Sequence, residues 1–205
     1  MMTSQGSCNC KYCGTAFQVE VHPSVNVSDN PDLKAQVMDG SLFVNECPQC
    51  GRINLIKYPL LYHDPDSRLM IWLSDGNPDQ EAALQRTCLE TEELKAYTAR
   101  FVDDIGSLME KVKIFDAGLD DRLVEMCKFV TCMEMGQDLS FKFFRLDGAD
   151  GDITLTYPKD GQMEMVNIGF NVYEDCRGII GRNPEIAREE GFSHVDADWV
   201  ASILK

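Results

Sequence analysis

Two short stretches constrain this 205-residue chain more than anything else in it: Cys10-Lys11-Tyr12-Cys13-Gly14 and Cys47-Pro48-Gln49-Cys50-Gly51. Each is a C-x-x-C followed by glycine, and 33 residues separate Cys13 from Cys47. Two residues between paired cysteines let one tight turn aim both sulfurs at a single point. The glycine that follows relieves the turn, because it takes a positive φ without a Cβ clash. Two such knuckles supply four thiolates, Cys10, Cys13, Cys47 and Cys50, which is what one tetrahedral structural Zn²⁺ requires. Iron in a sulfur tetrahedron is the competing reading, since the ligands alone do not separate the two metals. A redox role for either C-x-x-C needs a thiolate at a helix N-terminus, and here strand-like residues follow both pairs.

The other cysteines fit a metal better than a disulfide framework. There are nine in all, an odd number, and four stand at metal spacing, which points to a reducing cytoplasm. Cys8 offers a third thiol beside the first knuckle, but Cys10 and Cys13 match the spacing of the second, so Cys8 is read as a free thiol. Cys88, Cys127, Cys132 and Cys176 are dispersed, and Cys127 falls on the apolar side of a helix, where cysteine packs as a small hydrophobe.

Charge excludes the commonest role of such knuckles. The chain carries a formal net charge of −15. Up to Asp75 it has only Lys11, Lys34, Arg52, Lys57 and Arg68 as cations against eight carboxylates, and the excess of acid is larger beyond. Nucleic-acid affinity is drawn from cations set against phosphates, and no basic run is present. The expected partner is therefore a protein and not a nucleic acid. No apolar stretch reaches the ~18 residues of a membrane span, so no membrane partner is expected either. Met1 to Ser7 is polar, without the apolar segment of a secretory signal.

Periodicity places the knuckles between strands. Thr15 to Val21 alternates, Pro31 to Met38 reads as a helix with Asn30 at its cap, Ser41 to Asn45 leads as a strand into the second knuckle, and Arg52 to Tyr58 leaves it. Arg68 to Leu73 reads as a further strand. The turn-rich Ser74 to Pro78 is a soft boundary. Beyond it come helices over 79–88, 107–115 and 119–135, with a strand at 97–102. Leu123, Met126 or Cys127, Val130 and Met133 form the apolar stripe of the longest helix. Three strands, 139–146, 152–157 and 162–170, read as an antiparallel meander separated by GADG and PKDG turns. Helices are expected from Asn183-Pro184 to Glu190 and from Asp196 onward. The whole is α+β: a zinc-ribbon-like antiparallel module over 1–75 and an acidic helical and β-meander part over 76–205.

The knuckles and their surroundings resemble a bacterial family, the CpXC-domain proteins. CPQCG fits the cysteine-proline-x-cysteine motif, whereas CKYCG has lysine in place of the proline, which only stiffens the turn. The likeness runs through Asp39-Gly40 and Tyr58-Pro59-Leu60-Leu61-Tyr62-His63-Asp64. It continues through Glu110-Lys111 and Gly118-Leu119-Asp120-Asp121-Arg122, roughly the first 130 residues. The resemblance implies zinc held by Cys10, Cys13, Cys47 and Cys50, and it implies nothing catalytic.

Tyr62 to Asp66 is the one place where a histidine and carboxylates bunch. It reads as an Asp-Pro turn between strands; the alternative is an enzyme with a cleft between the two parts that uses His63 and Asp64. Neither Lys57, His22 nor His194 completes a catalytic constellation, and no phosphate loop, nucleophile elbow or H-E-x-x-H is present. GADGD lacks the distal Glu of a Ca²⁺ loop and reads as a hairpin turn. The expected function is that of a structural zinc protein, non-enzymatic, acting as an interaction or adaptor protein.

Overall fold

Each knuckle sits at the tip of its own antiparallel hairpin. The computed structural model describes residues 3–147, 151–183, 186 and 190–203. Ser4–Asn9 (β1) pairs antiparallel with Ala16–Val21 (β2), with Cys8 opposite Phe17. Alternation on β2 buries Phe17 and Val19, as the sequence predicts, whereas β1 carries no strong strand signal and exists through its pairing with β2. Ser24–Asn26 (β3) follows within the expected loop, then the helix Pro31–Asp39 (α1). Proline at the first turn starts α1, and Gly40, at φ 80°, ends it in the left-handed region.

The expected strand over 41–45 is instead a 3₁₀ turn, Ser41–Phe43, followed by a three-residue strand, Val44–Glu46 (β4). The turn wins because Asp39 Oδ1 accepts from the Ser41 amide at 2.8 Å, and it drives Phe43 fully inside, 5.4 Å from the Tyr58 ring. β4 pairs antiparallel with Ile53–Leu55 (β5), placing Val44 opposite Leu55 and Glu46 opposite Ile53.

Leu60–Asp64 (β6), Leu69–Leu73 (β7) and Thr98–Val102 (β8) build a mixed sheet with β3 and the two-residue strand Phe192–Ser193, which pairs with β8 at one edge, while β3 pairs with β6 at the other. β6 and β7 form an antiparallel pair, whereas β7 and β8 run parallel. A parallel pair needs a crossover, and Pro78–Glu90 (α2) supplies it, capped by the Asn77 side chain, which accepts from the Asp79 amide at 3.1 Å. The turn-rich 74–78 stretch therefore lies inside a β–α–β unit, with the Ser74 amide bonded to Val102 O. The chain divides by its contacts into Met1–Met109 with Glu190–Ser193, and Glu110–Glu189 with His194–Lys205. That division falls within the helix Ile105–Asp116 (α3) rather than at the turn.

In the second unit the helix Asp121–Met135 (α4) is capped by Asp120, whose Oδ1 accepts from the Arg122 amide at 3.0 Å, and closed by Gly136. Leu123, Met126 and Cys127 are buried as the stripe predicts, but Met133 is 68% exposed, because the packed face has rotated away by that turn. The meander consists of Lys142–Asp147, Asp152–Lys159 and Gln162–Ile168, antiparallel in sequence order. Its middle strand buries Ile153, Leu155 and Tyr157 into one core with Leu123, Val124 and Tyr173. The helix Phe170–Arg182 (α5) has no counterpart in the sequence reading, and Ala197–Ile203 (α6) is the expected last helix, with Asp196 accepting from the Trp199 amide. The turn residues 148–150 and the expected helix from Pro184 lie outside the described residues, save for Ile186 and Glu190.

Charge is buried in this unit too. Lys111 meets Asp121 at 2.8 Å, and Lys128 meets Glu110 at 2.5 Å and Glu125 at 2.8 Å. All five side chains are less than a tenth exposed. Glu110 also accepts from the Phe143 amide and meets Lys142 at 3.1 Å, so its carboxylate is fully engaged. Such groups are tolerated inside only when paired and hydrogen-bonded.

Candidate metal centre

The two knuckles have the same backbone. The Cys10 amide donates to Thr15 O and the Gly14 amide to Cys10 O; the Cys47 amide donates to Arg52 O and the Gly51 amide to Cys47 O. These bonds close the same two rings at the same offsets. Gly14 and Gly51 take φ of 75° and 67°, the left-handed conformation the spacing predicts for the residue after each pair.

The turns point all four sulfurs inward. Cys10 Sγ lies 3.7 Å from Cys50 Sγ, and Cys13 Sγ lies 3.6 Å from Cys47 Sγ, so each close pair joins one knuckle to the other. All four lie within 4.8 Å of one another. Sulfurs bound ~2.3 Å from one tetrahedral ion stand about 3.8 Å apart. The four cysteines fit a single metal ion held by sulfur. Cys8, half-buried on β1, is not one of the four; it packs instead in the small apolar cluster of Cys10, Phe17, Val19 and Cys47.

One residue the sequence reading missed organises the site. Asn54 is 2% exposed, and its Oδ1 accepts from the Lys11 amide at 2.9 Å. Its Nδ2 lies 3.5 Å from Cys10 Sγ and 3.0 Å from Arg52 O. One amide side chain thus joins both knuckles and donates to one of the four gathered sulfurs, the kind of outer contact that would orient a metal ligand. The alternation Ile53-Asn54-Leu55 held the signal, but it is inverted: the amide points in, and Ile53 and Leu55 stand 52% and 50% exposed. At the knuckle tips, the Arg52 guanidinium stacks 4.8 Å over the Tyr12 ring.

Hydrogen bonds and crowding act differently on the thiols of Cys10, Cys13 and Cys50. Burial opposes ionisation of Cys10, but amide hydrogen bonds from Tyr12 and Cys13 and the Asn54 side chain bring its pKa down to about 6. The Thr15 side chain and amide hold Cys13 below the usual thiol range. For Cys50 the Arg52 amide favours the thiolate, yet burial and the three neighbouring sulfurs push it up to about 12. Local hydrogen bonds thus favour the thiolate at Cys10 and Cys13, and crowding opposes it at Cys50. A cation at the centre removes that conflict by compensating the sulfurs' charge.

His63 and Asp64 do not come together. Consecutive residues of β6 face opposite sides of the sheet. Asp64 is buried, accepts from the Ser67 amide at 3.1 Å and lies 3.9 Å from Lys34, the pattern of an Asp-Pro turn. His63 lies against Tyr97, with Nε2 3.3 Å from its hydroxyl. His22 is buried with Nε2 3.7 Å from Glu20. Lys57 is occupied at Asp103 O, 2.7 Å away.

No curated protein and no solved structure gives a significant match to the chain. A family model described as CpXC protein matches residues 8–128, which takes in both knuckles, Asn54 and the first two turns of α4. With its four sulfurs gathered at the spacing of one ion and more than half its length matched, this chain belongs to the CpXC protein family.

Proposed function

We propose that this is a structural zinc protein of the bacterial cytoplasm, and that it works by contact with a protein partner rather than by catalysis. The closed arrangement of four sulfurs carries the reading. With every tetrahedral position taken by a cysteine, no place is left for water or substrate, so the ion fastens the fold and does not hydrolyse anything. Thiolate ligands and an odd cysteine count suit a reducing compartment.

The contact role is supported by what the metal holds in place. Val44, Ile53 and Leu55 lie on one face of the β4–β5 hairpin by their register, each between 44% and 52% exposed. A two-stranded ribbon is marginal alone, so the metal keeps that apolar face presented. The expected outcome of elemental analysis is one zinc per chain in protein produced without added metal. A photo-crosslinker placed at residue 53 should give a discrete protein adduct in the producing cell, lost in Cys47→Ser. A red iron-loaded preparation, a Cys10–Cys13 disulfide, or no adduct at 44, 53 and 55 would overturn the proposal.

A further inference from the structure

Four of the nine cysteines are gathered at the metal centre, and two others face each other far from it in sequence. Cys127 of α4 and Cys176 of α5 have their sulfurs 3.9 Å apart, at 0% and 2% exposure. They are the inner residues of two packed helices: Tyr173, Cys176 and Ile180 form the buried face of α5, and Leu123 and Cys127 part of that of α4. We propose that Cys127 and Cys176 are an oxidative modification site, closing to a reversible disulfide that ties α4 to α5 when a hydroperoxide reaches them.

The sulfurs are already in contact, so the bond needs an approach of about 1.9 Å to the ~2.05 Å of a disulfide. The two thiols are also unequal. Cys127 as donor to Cys176 lowers the pKa of Cys176, and that same hydrogen bond together with burial pushes Cys127 up. Cys176 is thus the attacking sulfur and Cys127 the resolving one. In the first step the Cys176 thiolate attacks one peroxide oxygen; the O–O bond breaks, an S–O bond forms, and hydroxide leaves. In the second, Cys127 gives up its proton and its sulfur attacks Cys176; the S–S bond forms, the S–O bond breaks and water leaves. Two thiols and one hydroperoxide become one disulfide, water and, from an organic peroxide, an alcohol.

Access comes from α5 itself. Gly178 and Gly181 sit inside the helix just past Cys176, and glycine weakens a helix interior relative to alanine. Packing does not demand either one. Among the described residues, a Cβ at Gly178 would meet only the flexible end of Arg182, at 3.4 Å, and a Cβ at Gly181 would meet nothing within 4 Å. Opening the last turns of α5 uncovers Cys176 without global unfolding. Cys132 is placed elsewhere, its sulfur 3.2 Å from Leu139 O.

The test uses the full, metal-loaded chain. It is treated with hydrogen peroxide, its remaining thiols are alkylated in denaturant, and the tryptic peptides are mapped. The expected product links peptides 123–128 and 160–177, two hydrogens lighter than their sum, and is restored by dithiothreitol. In Cys127→Ala the link should vanish and Cys176 should be trapped by dimedone as a sulfenic acid. Gly178→Ala with Gly181→Ala should slow the link roughly tenfold. Recovery of both peptides singly alkylated after the knuckle sulfurs have oxidised would overturn the proposal. So would a Cys132–Cys176 link, or unchanged rates in the alanine pair.

Discussion

Replacing Asn54 with leucine should loosen the metal while leaving all four ligands in place. Leucine has the same branched skeleton of four side-chain heavy atoms as asparagine, so the main change is in bonding, with a smaller gain in volume from the two methyls. It removes the acceptor of the Lys11 amide at 2.9 Å, the donor to Arg52 O at 3.0 Å and the donor to Cys10 Sγ at 3.5 Å. Each buried polar group left without a partner costs ~1–3 kcal/mol, the smaller figure applying where water reaches it. The Lys11 amide and Arg52 O are only partly buried, so the sum is set at ~1.5–3 kcal/mol. At 1.36 kcal/mol per factor of ten, zinc affinity should fall about 10- to 150-fold. Competition against a chromophoric chelator reads that change directly. Asn54→Asp is the sharper variant: it keeps the acceptor for Lys11 but sets a negative charge beside the Cys10 sulfur, and should weaken zinc at least as much as leucine does. An affinity for zinc within twofold of the parent protein in both variants would refute the idea that this amide orients the site.

Other outcomes follow from the same physics. Cys47→Ser should unfold at least the β4–β5 hairpin, because structural zinc contributes ~10–16 kcal/mol in small peptides against a domain's net ~5–15; Cys8→Ser should retain zinc, and circular dichroism with metal analysis distinguishes the two. Glu110→Gln keeps an acceptor for the Phe143 amide but takes away one of the two carboxylates around Lys128, and should cost about 3–5 kcal/mol in urea unfolding at neutral pH. Burial alone would raise the Glu110 pKa, but Lys128 and Lys142 hold it below its ordinary 4.5. Its contribution is therefore full above that value and lost as pH falls through the depressed one, so the two proteins should converge in stability only in acid; a difference under about 1 kcal/mol at neutral pH would contradict this. Finally, with a net charge of −15 the chain should show no micromolar binding to DNA or RNA at physiological salt in a fluorescence titration; tight, steeply salt-dependent binding would show a cationic surface that the charge count conceals.

What the sequence determined by itself is local. Each knuckle closes through bonds within six consecutive residues and needs one glycine with positive φ, so the cysteine spacing was enough to single out the four cysteines that the fold gathers. The start of α1 was legible for the same reason, since Pro31 fixes φ in the first turn, although the expected Asn30 cap makes no side-chain capping bond. Asn77 and Asp120 act just as locally, on the amides of Asp79 and Arg122, but the sequence reading names neither as a cap. Tertiary structure decided the rest. Alternation at 53–55 shows that one side of β5 faces in, not which, and the metal site claimed Asn54 and turned two apolar side chains outward. The polar β1 and the three-residue β3 have no adequate signal of their own; they exist because a neighbouring edge supplies their hydrogen bonds. The crossover through α2 joined a strand assigned to the ribbon to one beyond the turn, a pairing across residues 74–97 that no local pattern records. Glu110 and Lys111 read as ordinary charged positions on a helix, and only the partners brought to them by α4 allow both to be buried.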